Sequence, residues 1–91
     1  MRIRWTAAAA ADLEQIKDYL KERYPSFAQP TVLRLYQGVR SLKRTPYRGR
    51  QGREEGTREL DFAPLPYIPV YRVKKEAIDI LHFHHTAQDR P

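Results

Sequence analysis

The sequence predicts an α+β domain, in which a helical hairpin packs on a small, mainly antiparallel sheet in the order β-α-α-β-β-β. Two observations predict this fold. In the first half, apolar residues recur at steps of three and four in two neighbouring segments, a spacing typical of amphipathic helices. In the second half, apolar and polar residues alternate in short segments rich in β-branched and aromatic residues, as in strands. We expect residues 1–91 to form this single domain.

The chain begins with a short strand and a first helix. Residues 2–5 alternate polar and apolar, which predicts a strand with one buried face. Thr6 can cap the helix that follows. The apolar stripe of this helix consists of Ala9, Leu13, Ile16 and Leu20. Tyr24 ends the helix, because a residue before proline avoids helical backbone angles.

A second helix follows at once. Ser26 and Gln29 have the spacing of a capping box, and Pro30 fits only in the first turn of a helix. The apolar stripe is continued by Val32, Leu35, Val39 and Leu42. Two amphipathic helices joined by a tight link form a hairpin with one apolar side, which a sheet must cover.

Three strands are predicted after the hairpin, over residues 57–62, 67–73 and 77–85. In the first of them, Arg58, Leu60 and Phe62 face the same side. Pro69 is unfavourable in the second, because proline lacks the N–H group that pairs strands. Within sheets, proline is found mainly at edges or bulges, so Pro69 does not fit the predicted strand well.

All three histidines lie in the last predicted strand. His82 and His84 point to one side, where we expect them to continue the face of Ile78 and Ile80 as partly buried residues. His85 points to the other side, so the three imidazoles cannot converge from this strand alone. Two histidines at i and i+2 could share a metal, but the sequence marks no third ligand. We therefore expect neither a metal nor a cofactor.

The chain carries a net charge of +6, most of it in residues 40–58. This segment contains seven basic and two acidic residues, and nearby prolines and glycines predict a loop. The excess charge favours an acidic partner, either nucleic acid or an acidic protein segment. A solvated loop is the alternative to target binding by phosphate contact and stacking. The candidate target-binding residues are Tyr47, Arg48, Arg50, Arg53 and Arg58.

The composition also excludes several classes of protein. The chain has no cysteine, so neither a disulfide framework nor a thiolate metal site is possible. Its first residues lack the apolar segment of a signal peptide, and no apolar run reaches the length that spans a membrane. We therefore expect a cytoplasmic protein that does not act at a membrane.

Several short motifs, taken in their order, resemble the RelE/ParE superfamily of type II toxins, and in detail its ParE-like branch. They are Trp5-Thr6 before an alanine-rich helix with Asp12-Leu13, the GTREL segment 56–60, Tyr71-Arg72-Val73 and His85. The resemblance covers nearly the whole chain. It implies the fold predicted above and a small toxin that a cognate antitoxin holds inactive by direct binding, in a hetero-oligomer.

Members of this superfamily act on two different targets. Some poison DNA gyrase by binding it, whereas others cut messenger RNA in the ribosome. The cleaving members commonly carry an arginine where this chain has Ile68, and an aliphatic side chain cannot stabilise the charge of a phosphorane. This departure favours gyrase inhibition. The alternative is a ribosome-dependent mRNA endonuclease with His85 as general acid and with Arg58 and the loop arginines as electrostatic clamps, although Arg58 could equally pair with a nearby acid.

The partner antitoxin implies a further binding site. Such antitoxins use a segment that is disordered when free and place an amphipathic helix in an apolar groove. The predicted helical hairpin could provide that groove, although core packing alone also explains its apolar stripes. The candidate groove residues are Leu13, Ile16, Leu20, Tyr24, Leu35 and Tyr36.

Overall fold

The computed structural model describes residues 1–86 and consists of two helices packed on a five-stranded mixed sheet. The elements are β1 (Arg2–Trp5), α1 (Ala7–Arg23), α2 (Pro25–Ser41), β2 (Arg50–Gln51), β3 (Arg58–Glu59), β4 (Tyr67–Val73) and β5 (Ala77–His85). The strands lie in the order β1-β5-β4-β3-β2, with β1 parallel to β5 and the other neighbours antiparallel. The predicted α+β fold is confirmed, with β2 as an additional strand.

The predicted strand over residues 57–62 is shorter in the structure, where β3 holds only two residues. Pro69 explains where β3 ends. The Leu60 N–H donates to the Pro69 carbonyl at 3.1 Å, but Pro69 has no N–H to donate in return. The pairing with β4 therefore stops at Glu59. Pro69 itself lies in an inner strand rather than at an edge, beside a register shift between β4 and β5.

The first helix is fixed to β5, which extends beyond the end of β1. The Thr6 side chain caps α1 by accepting the Ala9 N–H at 3.1 Å, and its hydroxyl donates to the Ile80 carbonyl at 2.7 Å. Further along α1, Asp12 accepts the Phe83 N–H at 2.9 Å. The predicted cap is confirmed. In addition, α1 supplies a hydrogen-bond partner to a part of β5 that β1 does not cover.

The second helix begins earlier than predicted. Tyr24 follows the last residue of α1 and precedes Pro25, the first residue of α2, so one residue joins the two helices. Ser26 is then inside the helix, and the predicted capping box of Ser26 and Gln29 is wrong. Pro30 also lies inside α2 rather than in its first turn. Pro30 has no N–H, so the Ser26 carbonyl, four residues earlier, loses its helical donor. Both residues are exposed, so water can donate to this carbonyl instead.

A bulge in β5 changes the face on which two histidines lie. Val70 pairs with His82, whereas its neighbour Tyr71 pairs with Ile80, which leaves one extra residue in β5. Ile80 is fully buried in the core, while the rings of His82 and His84 contact each other on the opposite face of the sheet. The predicted face shared by the isoleucines and these histidines is therefore wrong, because strict alternation fails at a bulge.

The core lies between the two helices and the sheet. Its largest fully buried side chains include Leu35, Val39, Leu42, Tyr71, Ile78 and Ile80. The ring of Phe62 packs on Gly38, where an added Cβ would overlap the ring. Within residues 1–86, neither helix is long and apolar enough to cross a membrane.

Replacing Asp12 by alanine tests the attachment of α1 to β5. The change removes the acceptor of the part-buried Phe83 N–H, so we expect the free energy of unfolding to fall by about 1–3 kcal/mol. Asp18→Ala, at an exposed position of the same helix, is the control and should change stability by less than about 0.5 kcal/mol. Urea unfolding followed by circular dichroism measures both variants. Equal losses would show that the Asp12 bond contributes nothing specific.

Candidate functional site

A buried tyrosine holds the loop between α2 and β2. The Tyr71 hydroxyl donates to the Pro46 carbonyl at 2.8 Å and accepts the Gly49 N–H at 2.9 Å. Burial raises the pKa of Tyr71, so the hydroxyl keeps its proton and remains a donor at neutral pH. Gly49 is required here, because a Cβ would come within 2.6 Å of this hydroxyl oxygen. The backbone of residues 46–49 is therefore fixed to the sheet.

Arg58 holds the same loop through a second set of contacts. Its Nη1 donates to the carbonyls of Tyr47 and Gly49 at 3.1 and 2.7 Å. Its guanidinium carbon lies 5.0 Å from the centre of the Tyr47 ring, which is the geometry of a cation–π contact. Within the described chain, the partners of Arg58 are thus carbonyls and a ring, and not the acidic side chain that the sequence left as an alternative.

Arg50 and Arg48 differ in how their charges are compensated. Arg50 lies 3.0 Å from Glu59 Oε1 and 3.5 Å from Asp61 Oδ2, so its charge is balanced within the protein. Arg48 donates to the neutral Ser41 hydroxyl at 2.8 Å and remains exposed. Of these two arginines, Arg48 is the better placed to meet an acidic target.

The exposed members of the predicted target-binding set include Tyr47, Arg48 and Arg53. Tyr47 has 62% of its surface exposed, although its backbone is held by Arg58. Arg53 lies in the turn between β2 and β3. The structure therefore presents an exposed aromatic ring on a fixed loop, with a cation next to it in the chain.

His85 lies at the other end of β4 from Arg58. Its ring packs edge-on against Tyr67, with 5.1 Å between the ring centres, and both residues line an open pocket of about 260 Å³ next to α1. Arg58 pairs with Tyr71 and His85 pairs with Tyr67, so the two pairs lie four residues apart along β4. This separation is about 13 Å along the strand. Because Arg58 lies on β3 and His85 on β5, two strand spacings, or about 10 Å, also separate them across the sheet. The structure does not bring the two candidate catalytic residues together.

The residue after Tyr67 is aliphatic and buried. Ile68 pairs with His84 and is 6% exposed. Nearby on the same face, His84 Nε2 lies 3.9 Å from Glu59 Oε2. Among residues 1–86, no three histidine or acidic side chains are grouped in a way that could hold a metal ion. A cation is therefore missing from position 68, where the resemblance associates an arginine with RNA cleavage.

Between α1 and α2 the hairpin forms an open apolar groove of about 520 Å³, here called the hairpin groove. Its lining includes Leu13, Ala28, Val32, Leu33 and Tyr36, together with Lys17 and Lys21. Two predicted groove residues, Leu13 and Tyr36, therefore line it.

The remaining predicted groove residues lie elsewhere. Leu20 and Leu35 are buried in the core, so neither offers a surface to a partner in this conformation. Ile16 lines the pocket beside His85, and Tyr24 is exposed at the link between the helices. Apolar periodicity in the sequence does not distinguish residues that pack against the sheet from residues that line the groove between the helices. For this reason, the prediction did not include Val32 and Leu33 among the groove residues.

Large apolar side chains are exposed along the hairpin groove and the helix link. Four of them are between 46% and 63% exposed: Tyr24, Phe27, Leu33 and Tyr36. Exposed apolar groups that cluster in this way mark sites of protein interaction. Lys17 and Lys21 add positive charge to the groove, although Lys17 also pairs with Glu14 at 3.0 Å. An amphipathic segment with acidic residues would fit this chemistry.

Comparison with known proteins finds relatives over almost the whole chain. The family model that matches describes the ParE toxin of the type II toxin-antitoxin system parDE, and it covers residues 3–90. One relative is the putative toxin Y4kP from Sinorhizobium fredii, 39% identical over 90 residues. Another is the toxin RelE2 from Caulobacter vibrioides, 38% identical over 84 residues. These matches cover 99% and 92% of this chain, and 93% of each relative.

Solved structures show the same fold. A chain of the chromosomal ParDE toxin-antitoxin system from P. aeruginosa matches with a TM-score of 0.85 and 31% identity, over 93% of this chain and 95% of that chain. The toxin-antitoxin complex RelBE2 from Mycobacterium tuberculosis matches with a TM-score of 0.59 and 26% identity, over 92% of this chain and 88% of that chain. A ParDE system, a protein named RelE2 and a RelBE2 complex are thus all among the matches.

Tyr71→Phe tests whether the hydroxyl fixes residues 46–49. The variant keeps the ring but leaves the Gly49 N–H and the Pro46 carbonyl without a partner. We expect a loss of about 1–3 kcal/mol in the free energy of unfolding, together with faster amide hydrogen exchange at Gly49. Tyr67→Phe, on the same strand, is the control, and it should leave exchange at Gly49 unchanged. Unchanged Gly49 exchange in Tyr71→Phe would mean that other contacts fix this loop.

Proposed function

The chain belongs to the ParE toxin family of type II toxin-antitoxin systems, and from this membership we propose that it inhibits DNA gyrase by direct binding. The arrangement of Arg58 is the observation that carries the proposal. An RNA-cleaving enzyme would use this cation to stabilise the charge on the reacting phosphate. Instead, its guanidinium donates to two loop carbonyls and lies over the Tyr47 ring. Arg58 therefore holds the exposed loop of residues 46–49 in place.

The positions of the other candidate groups also disfavour RNA cleavage. A general acid and an electrostatic clamp must reach the same phosphate, each within hydrogen-bonding distance. The strand register separates His85 from Arg58 by about 13 Å along β4. Ile68 lies on β4 between the residues that pair with Arg58 and His85, and it carries no charge. An mRNA endonuclease with this fold would need a different set of residues.

We assign the contact with gyrase to the surface of residues 46–49. Tyr47 offers an exposed ring, and Arg48 follows it with an exposed guanidinium. Aromatic residues and arginine contribute most often to the binding energy of protein interfaces. Because Tyr71 and Arg58 already hold the backbone of this loop, binding would lose little conformational entropy.

We also infer that a cognate antitoxin neutralises the toxin by occupying the hairpin groove. The groove is open and apolar, and it carries exposed Leu33 and Tyr36. Lys17 and Lys21 suit an acidic partner. An amphipathic helix would bury its apolar face between α1 and α2 and place its acidic side chains near the lysines. The complex would form in the cytoplasm, with residues 1–91 as a single toxin domain.

A DNA supercoiling assay with purified gyrase tests the proposed target. The wild-type protein should inhibit supercoiling, and Tyr47→Ala should require at least about tenfold more protein, because it loses an exposed ring at the centre of the contact. Tyr19→Ala is the control, since Tyr19 is also exposed but lies on α1. The proposal fails if saturating wild-type protein neither inhibits supercoiling nor accumulates cleavage complexes.

His85→Ala distinguishes this proposal from RNA cleavage in cells. As a gyrase inhibitor, the variant should still cause filamentation and a DNA damage response when expressed. As a ribonuclease that lost its general acid, it should lose about 100-fold or more of its cleavage rate and spare transcripts that the wild type cuts. Loss of toxicity in a folded His85→Ala variant, with transcripts restored, would favour the enzyme.

Binding of the cognate antitoxin tests the hairpin groove, and in this family we expect the antitoxin to be encoded by the neighbouring reading frame. Leu33→Asp places a charge in the apolar groove, so we expect binding of this antitoxin to weaken at least about tenfold. Arg34→Gln changes the net charge by the same amount at an exposed position and should bind normally. Calorimetric titration of each purified variant measures the difference. Equal affinities for wild type and Leu33→Asp would place the antitoxin elsewhere.

A further inference from the structure

A smaller pocket lies where β1 meets the end of α2, and neither proposed binding surface accounts for it. Its volume is about 190 Å³. Three cationic residues line it, Arg2 from β1, Arg40 from the last turn of α2 and Lys43 just beyond that helix. Trp5 and Tyr36 contribute its aromatic part. We call this site the β1–α2 pocket.

The three cations of the β1–α2 pocket have no charge partner in the part of the chain that the structure describes, where none of them forms an ion pair with an acidic side chain. In contrast, Arg4 on the same strand as Arg2 lies 2.6 Å from Asp79 Oδ1. Basic residues near a helix C-terminus stabilise the helix dipole, which would explain Arg40 and Lys43 but not Arg2. Together the three charges favour an anionic ligand.

The aromatic part of the pocket indicates which kind of anion fits. Trp5 stacks on Tyr36 with 6.1 Å between ring centres and 14° between planes, and Tyr36 remains 46% exposed. Cations beside an exposed aromatic ring are typical of sites that hold a phosphate together with its sugar or base. An acidic helix would instead need a long apolar groove, and about 190 Å³ is too small for one.

We propose that the β1–α2 pocket binds a phosphate group of a nucleic-acid backbone. Arg2, Arg40 and Lys43 supply the positive charge, and Tyr36 contacts the attached sugar or base. Arg48, which donates to Ser41 beside Arg40 in the chain, extends the positive surface towards residues 46–49. Phosphate contacts carry no sequence information, so the site needs no particular nucleotide sequence. The proposal is also independent of gyrase as the target.

The single tryptophan of the chain allows a direct test, because Trp5 lines the pocket. The full chain is titrated with a short DNA duplex and with single-stranded RNA at several salt concentrations, while Trp5 fluorescence is followed. We expect a saturable change with DNA, RNA or both. Each of Arg2→Gln, Arg40→Gln and Lys43→Gln should make the slope of log affinity against log salt less negative by about 1, equivalent to about tenfold weaker binding at 0.1 M salt.

Arg34→Gln is the matched control. It removes one positive charge from α2, the helix that carries Arg40, at a position outside the pocket. It should leave the salt slope within error of the wild type, and circular dichroism checks that every variant is folded. The proposal is overturned if neither nucleic acid changes Trp5 fluorescence, or if Arg34→Gln weakens binding as much as the pocket variants. Tighter binding of poly-glutamate than of either nucleic acid, with the same dependence on Arg2, would also overturn it.

Discussion

The attachment of α1 to the edge of β5 is the interaction on which the rest of the molecule depends. β1 covers only four of the nine residues of β5, and beyond that point Asp12 accepts the N–H of Phe83. Thr6 caps α1 and bonds the last covered carbonyl of β5, so the helix starts at a fixed position on the sheet. A single residue links α1 to α2, so α2 is placed by the same contacts. The hairpin groove and the β1–α2 pocket both follow from that placement.

The residues that carry the family resemblance perform structural tasks of this kind. In the segment 56–60, Gly56 adopts a φ of 81°, and the Thr57 hydroxyl donates to the Glu54 carbonyl at 2.6 Å, which together shape the turn before β3. Glu59 pairs with Arg50 across β2 and β3. These contacts specify the fold, and a chain that keeps them is recognised as a relative whatever its target. The residues that we propose to contact gyrase, Tyr47 and Arg48, lie outside the motifs. For this reason the motifs identified the family without distinguishing gyrase from RNA.

Local patterns in the sequence predicted most of the elements, and long-range contacts account for what they missed. Apolar periodicity and alternation were sufficient for both helices and for β4 and β5. The end of β3 depends on Pro69, which is nine residues away from Leu60 in the chain, and the bulge in β5 has no local signal. The site was less predictable. Arg58 was predicted either to meet a target or to pair with an acid, whereas its partners are backbone carbonyls of a loop nine to eleven residues away, and carbonyl groups leave no trace in a sequence.

Tyr36 lines both the hairpin groove and the β1–α2 pocket, and this shared residue would couple the two proposed ligands. Its ring is stacked on Trp5, which in turn stacks on Phe83 of β5, so Tyr36 cannot move aside without disturbing the packing against the sheet. An antitoxin helix that covers Tyr36 would therefore weaken nucleic-acid binding in the pocket. By thermodynamic reciprocity, nucleic acid would weaken antitoxin binding by the same factor. Neutralisation would then not require the antitoxin to reach residues 46–49, because occupation of the groove alone would remove one part of the toxin's contact surface.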